Sequence, residues 1–201
     1  MNIVITGGSK GIGKALALKF ASGGHQVFIC ARNKKDLADA AKEINKKYKE
    51  TVQYFPVDIS KKISAVKFAK WLLEKNIIPD ILVNNAGQFL PGSIYNEAEG
   101  TLEQMIAANL YSAYYITRAL LPDMMRQRSG HIFNMCSIAS LKAYDDGGSY
   151  SISKHALMGF SKNLREEMKP YNIKVSTVYP GAVYTASWEG SGVRTSRIMQ
   201  V

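Results

Sequence analysis

Cysteine is scarce in this chain of 201 residues: Cys30 and Cys136 are the two present. Each lies in a strand-like apolar run and reads as a small core residue, so a disulfide framework is not expected. The histidines His25, His131 and His155 are scattered without ligand spacing, and no metal site is expected. No apolar run approaches the roughly 18 residues of a membrane span. The first strand-like run begins at Asn2 with no signal-type segment before it. Together these absences point to a reducing, cytoplasmic setting and no membrane partner. Acidic residues are outnumbered 16 to 26 by lysine and arginine, which gives a net charge of +10. Such a balance invites a nucleic-acid reading. Many of the lysines, including Lys34, Lys35, Lys42, Lys46, Lys47 and Lys49, fall instead on segments that look like exposed helix faces. A solvated surface is the better account, and no nucleic-acid partner is expected. What survives is a positive field that attracts small polyanions. There is no internal repeat, low-complexity tract or linker, so residues 1–201 are expected to form a single domain.

What is present begins with Ile3-Val4-Ile5, a β-branched run suited to a strand buried on both faces of a parallel sheet. Thr6-Gly7-Gly8-Ser9-Lys10-Gly11-Ile12-Gly13 follows, then a helix over Lys14–Ala21. Strand, glycine-rich turn and helix set a helix N-terminus against a phosphate, and glycines let the backbone approach it. The spacing is G-x-x-x-G-x-G, not the commoner G-x-G-x-x-G, and a glycine-rich turn is by itself a weak signal. Gln26 to Ala31 reads as the second strand. Arg32 follows it, about 20 residues beyond Gly13, where dinucleotide folds usually carry an acid for the adenosine ribose. A cation there, with Lys10 nearby, suits a ribose 2′-phosphate and favours NADP(H) over NAD(H); the alternative is that Arg32 faces solvent.

Asp36–Tyr48 reads as a charged helix and Val52–Val57 as a third strand, ending at Asp58, whose carboxylate suits an adenine amino group. Lys61–Asn76 is an amphipathic helix with Val66, Phe68, Ala69, Leu72 and Leu73 as its apolar positions. Ile81-Leu82-Val83 is a fourth strand running into Asn84-Asn85-Ala86-Gly87, at the strand end where open α/β sheets bind ligands. Thr101–Met125 reads as one long helix, with Leu102, Met105, Ile106, Leu110, Ala113, Thr117, Leu120 and Leu121 on its buried side. Asn109 interrupts that side; a buried amide needs partners, so it is either a satisfied core residue or part of a site. His131–Cys136 is a fifth strand, followed by Ser137. Ser151–Met168 is a helix and Lys174–Val178 a sixth strand, ahead of Pro180-Gly181. No convincing element is read beyond Ala182.

Tyr150 and Lys154 stand at i and i+4 where the helix over 151–168 opens, and share a face. A phenol has a free pKa of about 10, and a neighbouring ammonium is expected to lower it and make the pair a proton donor and acceptor. The Ser137 hydroxyl is placed to polarise a substrate oxygen.

In order and spacing, the glycine turn, Asp58, Asn84-Asn85-Ala86-Gly87, Asn109, Ser137, Tyr150-x-x-x-Lys154 and Pro180-Gly181 resemble the short-chain dehydrogenase/reductase family, from Met1 to about Thr185. The resemblance implies a Rossmann-type doubly wound parallel sheet. It implies hydride transfer between a nicotinamide cofactor and a carbonyl/alcohol pair, with Tyr150 as acid/base, Ser137 orienting the carbonyl, Lys154 bonding the nicotinamide ribose and Asn109 holding a relay water. Gly7, Ser9, Lys10, Gly11, Ile12, Gly13, Arg32, Asp58, Asn85, Ala86 and Gly87 match cofactor-binding positions, and Pro180, Gly181, Val183 and Thr185 match the segment at the nicotinamide end. The family pairs the helices over 101–125 and 151–168 across a two-fold axis, which implies a homodimer or homotetramer. Members usually continue past this point with lid helices and a last strand, so the fold is expected to lack both, with 186–201 a flexible start of the lid. Sepiapterin-reductase-like and 3-oxoacyl-carrier-protein-reductase-like members share features of the last segment. The rival reading is a dinucleotide-binding regulator without turnover, which has no need of Asn109, Ser137, Tyr150 and Lys154 together.

Overall fold

Ile3, Val4 and Ile5 are wholly buried at the centre of the sheet, and their alternation defines its two faces. Ile3 and Ile5 pack with Val27, Ile29, Ala17, Leu37 and Ile44, whereas Val4 packs with Phe28, Phe68, Leu120, Ile132 and Leu164. A strand covered on both sides gains nothing from polar alternation, which is why it reads as a continuous apolar run.

The computed structural model of the chain describes residues 1–49, 51–184 and 199–200. Six parallel strands, β1 (Asn2–Thr6), β2 (Gln26–Ala31), β3 (Val52–Pro56), β4 (Ile81–Asn84), β5 (Gly130–Met135) and β6 (Ile173–Val178), lie in the order β3-β2-β1-β4-β5-β6. Helices α1 (Gly11–Ser22) and α2 (Lys34–Tyr48) cover one face; α3 (Lys62–Leu73), α5 (Ser112–Gln127) and α6 (Gly148–Met168) cover the other. The order reverses between β1 and β4, and the crevice beyond their C-terminal ends is the ligand position of such sheets. This is the Rossmann-type α/β fold expected.

Several boundaries differ from expectation. The long helix is divided into α4 (Thr101–Ile106), a π-helical stretch over Ala107–Tyr111, and α5. Leu102, in the first turn of α4 ahead of the π stretch, is 41% exposed instead of facing the core, while Met105 one turn on is buried. Val66 is likewise exposed, because the buried stripe of α3 runs through Ala65, Phe68, Ala69 and Leu72. Helix α6 starts at Gly148, three residues earlier than read, which puts Tyr150 in its first turn. Beyond Ala182, where no element was read, Val183–Tyr184 (β7) pairs in parallel with Met199–Gln200 (β8). Among the described residues no helix is long and apolar enough to cross a membrane.

Candidate active site

The glycine turn is braced by the end of β4. Thr6 Oγ1 accepts from the backbone N–H groups of Asn85 and Ala86, at 3.0 and 2.9 Å. Asn85 Nδ2 donates in return to the carbonyls of Thr6 and Gly7, at 3.0 and 3.1 Å. The contact is too close for side chains: a Cβ on Gly13 would stand 2.2 Å from the Gly7 oxygen and 2.5 Å from Asn85 Nδ2, and one on Gly8 2.7 Å from the Ile29 side chain. Asn85, expected beside the cofactor, is therefore placed first as the strut that shapes the turn. Gly11 opens α1, and no side chain caps that N-terminus. The leading backbone N–H groups of a helix have no partner within it, so this end suits a phosphate. Ile12 is half-buried against the core beneath the turn.

Around the adenosine end, expectation and structure part. Lys10 is not a free cation: its ammonium pairs with Asp36 at 3.0 Å, in the first turn of α2. The sequence gives Asp36 as an ordinary first-turn helix acid and does not show that it faces the turn. Ser9, Lys10, Gly11, Lys14 and Asp36 border a cavity of about 320 Å³ between α1 and α2. Arg32 is exposed at the end of β2, with no ion pair among the described residues. Asp58 Oδ1 accepts from the Ser60 backbone N–H and hydroxyl, at 3.1 and 2.7 Å.

The chemical end gathers residues from four elements. Asn109, fully buried in the π stretch, accepts from the Gln88 backbone N–H at 2.8 Å. Its amide hydrogens go to the Gln88 carbonyl at 3.0 Å and the Ser153 hydroxyl at 2.9 Å. Of the two sequence readings the satisfied one holds for the side chain, and it is also part of the cluster: a Cβ on the exposed Gly87 would lie 2.7 Å from Asn109 Oδ1 and 3.5 Å from Lys154 Nζ. Lys154 is buried and donates to the Met135 carbonyl at 2.8 Å. Its ammonium stands 5.8 Å from the Tyr150 ring centroid. Ser137 caps a short 3-10 turn, accepting from the Ala139 N–H at 3.1 Å, and its hydroxyl lies near enough to the Tyr150 phenol to favour the ionised form. Phe89 packs edge-on against Tyr150 with centroids 4.9 Å apart. The Pro180 carbonyl accepts from the Ile138 N–H at 3.3 Å, and Gly181 faces Ile138, so this segment overlies the Ser137 turn. Val183 opens β7, and Thr185 lies outside the described residues.

The electrostatics correct the proton chemistry read from the sequence. Burial pushes the Tyr150 phenol above its usual value, with the Ser137 hydrogen bond pulling the other way. Burial pulls Lys154 down to about 8, against the opposing influence of the Cys136 thiol. The i, i+4 geometry is present, but Lys154 is held inward by Met135 and pays for its own burial, so it does not set the tyrosine low in this state. Tyr144, beside Tyr150, is pushed up to about 12, mainly by burial. Sequence reasoning missed Gln88, Phe89, Ser153 and the Met135 carbonyl. No motif marks them, because two of these contacts use the backbone and all join residues far apart in the chain.

The uncapped α1, the glycine turn, the exposed Gly87 beside Lys154 and the unpaired Arg32 fit a dinucleotide laid across the β1/β4 crevice. Comparisons with known proteins agree. The family model described as short chain dehydrogenase matches residues 1–193. An uncharacterized oxidoreductase of Staphylococcus saprophyticus is 34% identical over 182 residues, 90% of this chain and 78% of that protein. The 3-ketodihydrosphingosine reductase of Bos taurus is 34% identical over 183 residues, but the chain spans 55% of its length. Among solved structures, a short-chain dehydrogenase from Sphingobium yanoikuyae in complex with NADPH superposes with a TM-score of 0.90 at 26% identity, covering 99% of this chain and 78% of that one. The chain belongs to the short-chain dehydrogenase family and is an NAD(P)-dependent oxidoreductase of that family.

Proposed function

We propose that the protein is an NADPH-dependent reductase of carbonyl compounds, with Tyr150 as its proton donor. The observation that carries the reading is a continuous cluster: Asn109 and Lys154 flank the exposed Gly87, Lys154 stands beside Tyr150, and Tyr150 feels the Ser137 hydroxyl. A protein that only bound a dinucleotide would have no use for that cluster.

When bound, the nicotinamide supplies the hydride. The chain's own residues do the rest. Ser137 donates to the substrate oxygen and orients it. Tyr150, kept protonated by its burial, gives its proton to that oxygen as the carbonyl carbon is reduced. The phenolate left behind is stabilised by the positive charge of Lys154. Both amide hydrogens of Asn109 are already taken, so its carbonyl oxygens are what it offers a relay water on the way to Lys154. Ser9, Gly11, Ile12 and the N-terminus of α1 take the pyrophosphate, and Asp58, Asn85, Ala86 and Gly87 border the adenosine and ribose. Arg32 takes the 2′-phosphate, and Pro180, Gly181, Val183 and Thr185 border the nicotinamide.

The test is NADPH oxidation against a panel of ketones and aldehydes by the protein and by Tyr150→Phe. Turnover that disappears in the variant while NADPH binding persists supports the reading. Equal turnover in both removes Tyr150 from the chemistry and, with it, the mechanism.

A further inference from the structure

The loop after β4 and the loop before α6 are stitched together by side chains that no motif of the sequence singles out. The Gly92 N–H donates to the Asp146 carbonyl at 3.1 Å, and the Ser93 hydroxyl donates to Asp146 Oδ1 at 2.7 Å. Glu97 then reaches the first turn of α6. Its Oε1 accepts from the Ser149 backbone N–H at 2.8 Å, and its Oε2 accepts from the Ser149 hydroxyl. Ser149 is buried. The fit leaves no room at the preceding residue: a Cβ on Gly148 would stand 2.1 Å from Glu97 Oε1 and 2.3 Å from the Gly92 oxygen. Gly148 also has φ +29°, a conformation other residues rarely adopt.

The residue after Ser149 is Tyr150, whose ring meets Phe89 of the same β4 loop. The tyrosine is thus fixed along two routes that both start in that loop, Phe89 against its ring and Glu97 on the helix turn that carries its backbone. A carboxylate taking two donors at a helix N-terminus is a strong local restraint, because it meets orphan N–H groups and the positive end of the helix dipole together. We infer that Glu97 is a positioning residue for catalysis, a clasp from the β4 loop that sets the first turn of α6 and so the reach of the Tyr150 hydroxyl toward Ser137 and the substrate oxygen. The inference rests on the reading of Tyr150 as acid/base.

Proton donors tolerate little displacement, and a shift of about 1 Å can cost on the order of a hundredfold in rate. Glu97→Ala is therefore expected to lower kcat by about tenfold or more, while the dissociation constant for NADPH, held mainly by the glycine turn, the N-terminus of α1 and Arg32, changes by less than about twofold. Glu97→Gln keeps an oxygen for the Ser149 N–H and is expected to restore most of the rate. Should Glu97→Ala fail to fold, Ser149→Ala, which removes the hydroxyl partner alone, is expected to lower kcat by a few fold with NADPH affinity intact. The inference is overturned if Glu97→Ala, or Ser149→Ala in its place, keeps the original kcat. It is equally overturned if kcat and NADPH affinity fall together and Glu97→Gln restores neither, since that is the behaviour of a general scaffold. Tyr150→Phe in the same series separates the two levels: full turnover in it overturns the acid/base reading, whereas loss of turnover there with normal kcat in Glu97→Ala overturns the clasp alone.

Discussion

The Lys154 ammonium donates to the Met135 carbonyl at 2.8 Å, so the cation of the site is tied to the end of β5 and not to the tyrosine beside it. This one bond anchors the ammonium, at 5.8 Å from the Tyr150 ring, in a place where burial opposes its charge. The site consequently holds a phenol that resists losing its proton and an ammonium that loses it easily.

The proposed reduction needs the phenol protonated and the lysine charged. Lys154 is pulled down to about 8 and Tyr150 is pushed up. The rate of NADPH-dependent reduction is therefore expected to hold across neutral pH and to fall as pH rises through about 8. A pH profile of kcat measured with saturating NADPH tests this; a plateau extending beyond pH 10 would contradict the assignment of Lys154.

The same displacement makes Lys154 a burden on folding. A lysine lowered from 10.5 to about 8 on folding binds fewer protons folded than unfolded between those values, so the protein gains stability as pH rises through that window. Below it the cost is roughly 3 kcal/mol at about 1.4 kcal/mol per tenfold change. Lys154→Met is expected to abolish turnover and yet leave Tm at pH 7 unchanged or higher, as read by calorimetry. A marked fall in Tm would show that the bond to Met135 outweighs the burial.

Cofactor choice turns on Lys10, Asp36 and Arg32. Because Lys10 is paired with Asp36, Asp36→Asn is expected to release a cation toward the 2′-phosphate and tighten NADPH binding. The gain should stay below the full worth of a charged hydrogen bond, about 1.5–3 kcal/mol, since the pair is half exposed. Arg32→Asp is expected to weaken NADPH and improve NADH. Nicotinamide fluorescence titrations of both cofactors check the pair of variants, and unchanged preference in Arg32→Asp would remove Arg32 from the phosphate site.

Gly13→Ala is expected to damage the turn more than the helix. Its Cβ would meet the Gly7 oxygen and Asn85 Nδ2, and overpacking of this kind costs about 1–3 kcal/mol. NADPH binding should weaken strongly while far-ultraviolet circular dichroism stays near that of the unsubstituted protein. Retained affinity would mean that the turn can shift without harm.

Helices α5 and α6 carry aromatic surface beyond what the sheet covers. Tyr111, the last residue of the π stretch leading into α5, is 42% exposed, and the half-buried Tyr114 of α5 meets Phe160 of α6 at 5.7 Å. An isologous dimer through this face is expected, and Tyr114→Asp should favour the monomer. Light scattering at several concentrations reads the outcome directly, and a monomer throughout would place the contact elsewhere.

The parallel sheet was legible because its strands are buried on both faces: Ile3-Val4-Ile5 and Ile81-Leu82-Val83 have no polar side to confuse their period. The candidate site was legible through the glycine turn and the Tyr150-to-Lys154 spacing, both local in sequence. What escaped is what the chain brings together from afar. Lys10 meets Asp36, Glu97 meets Ser149 and Lys154 meets the Met135 carbonyl, and none of these pairs has a spacing rule. The proton affinities escaped for a related reason, since burial decides them and a spacing does not report burial. The division of the long helix was hidden because a π stretch uses the same apolar residues as an α-helix.

That π stretch has a consequence for anyone altering the protein. A π segment amounts to one residue more than a regular helix would use, and each residue turns an α-helix by about 100°. Met105 before the stretch and Ile116 and Leu120 after it are all buried, so both halves of the helix already sit in their grooves. Excising a single residue such as Ala108 would let the chain run on as a regular α-helix with both halves still in their grooves, and the change would fall on the stretch itself, turning Asn109 away from Gln88 and Ser153. Here a shorter, more regular helix would keep the packing of the core and lose the placement of one amide, so the extra residue serves the candidate site and not the fold.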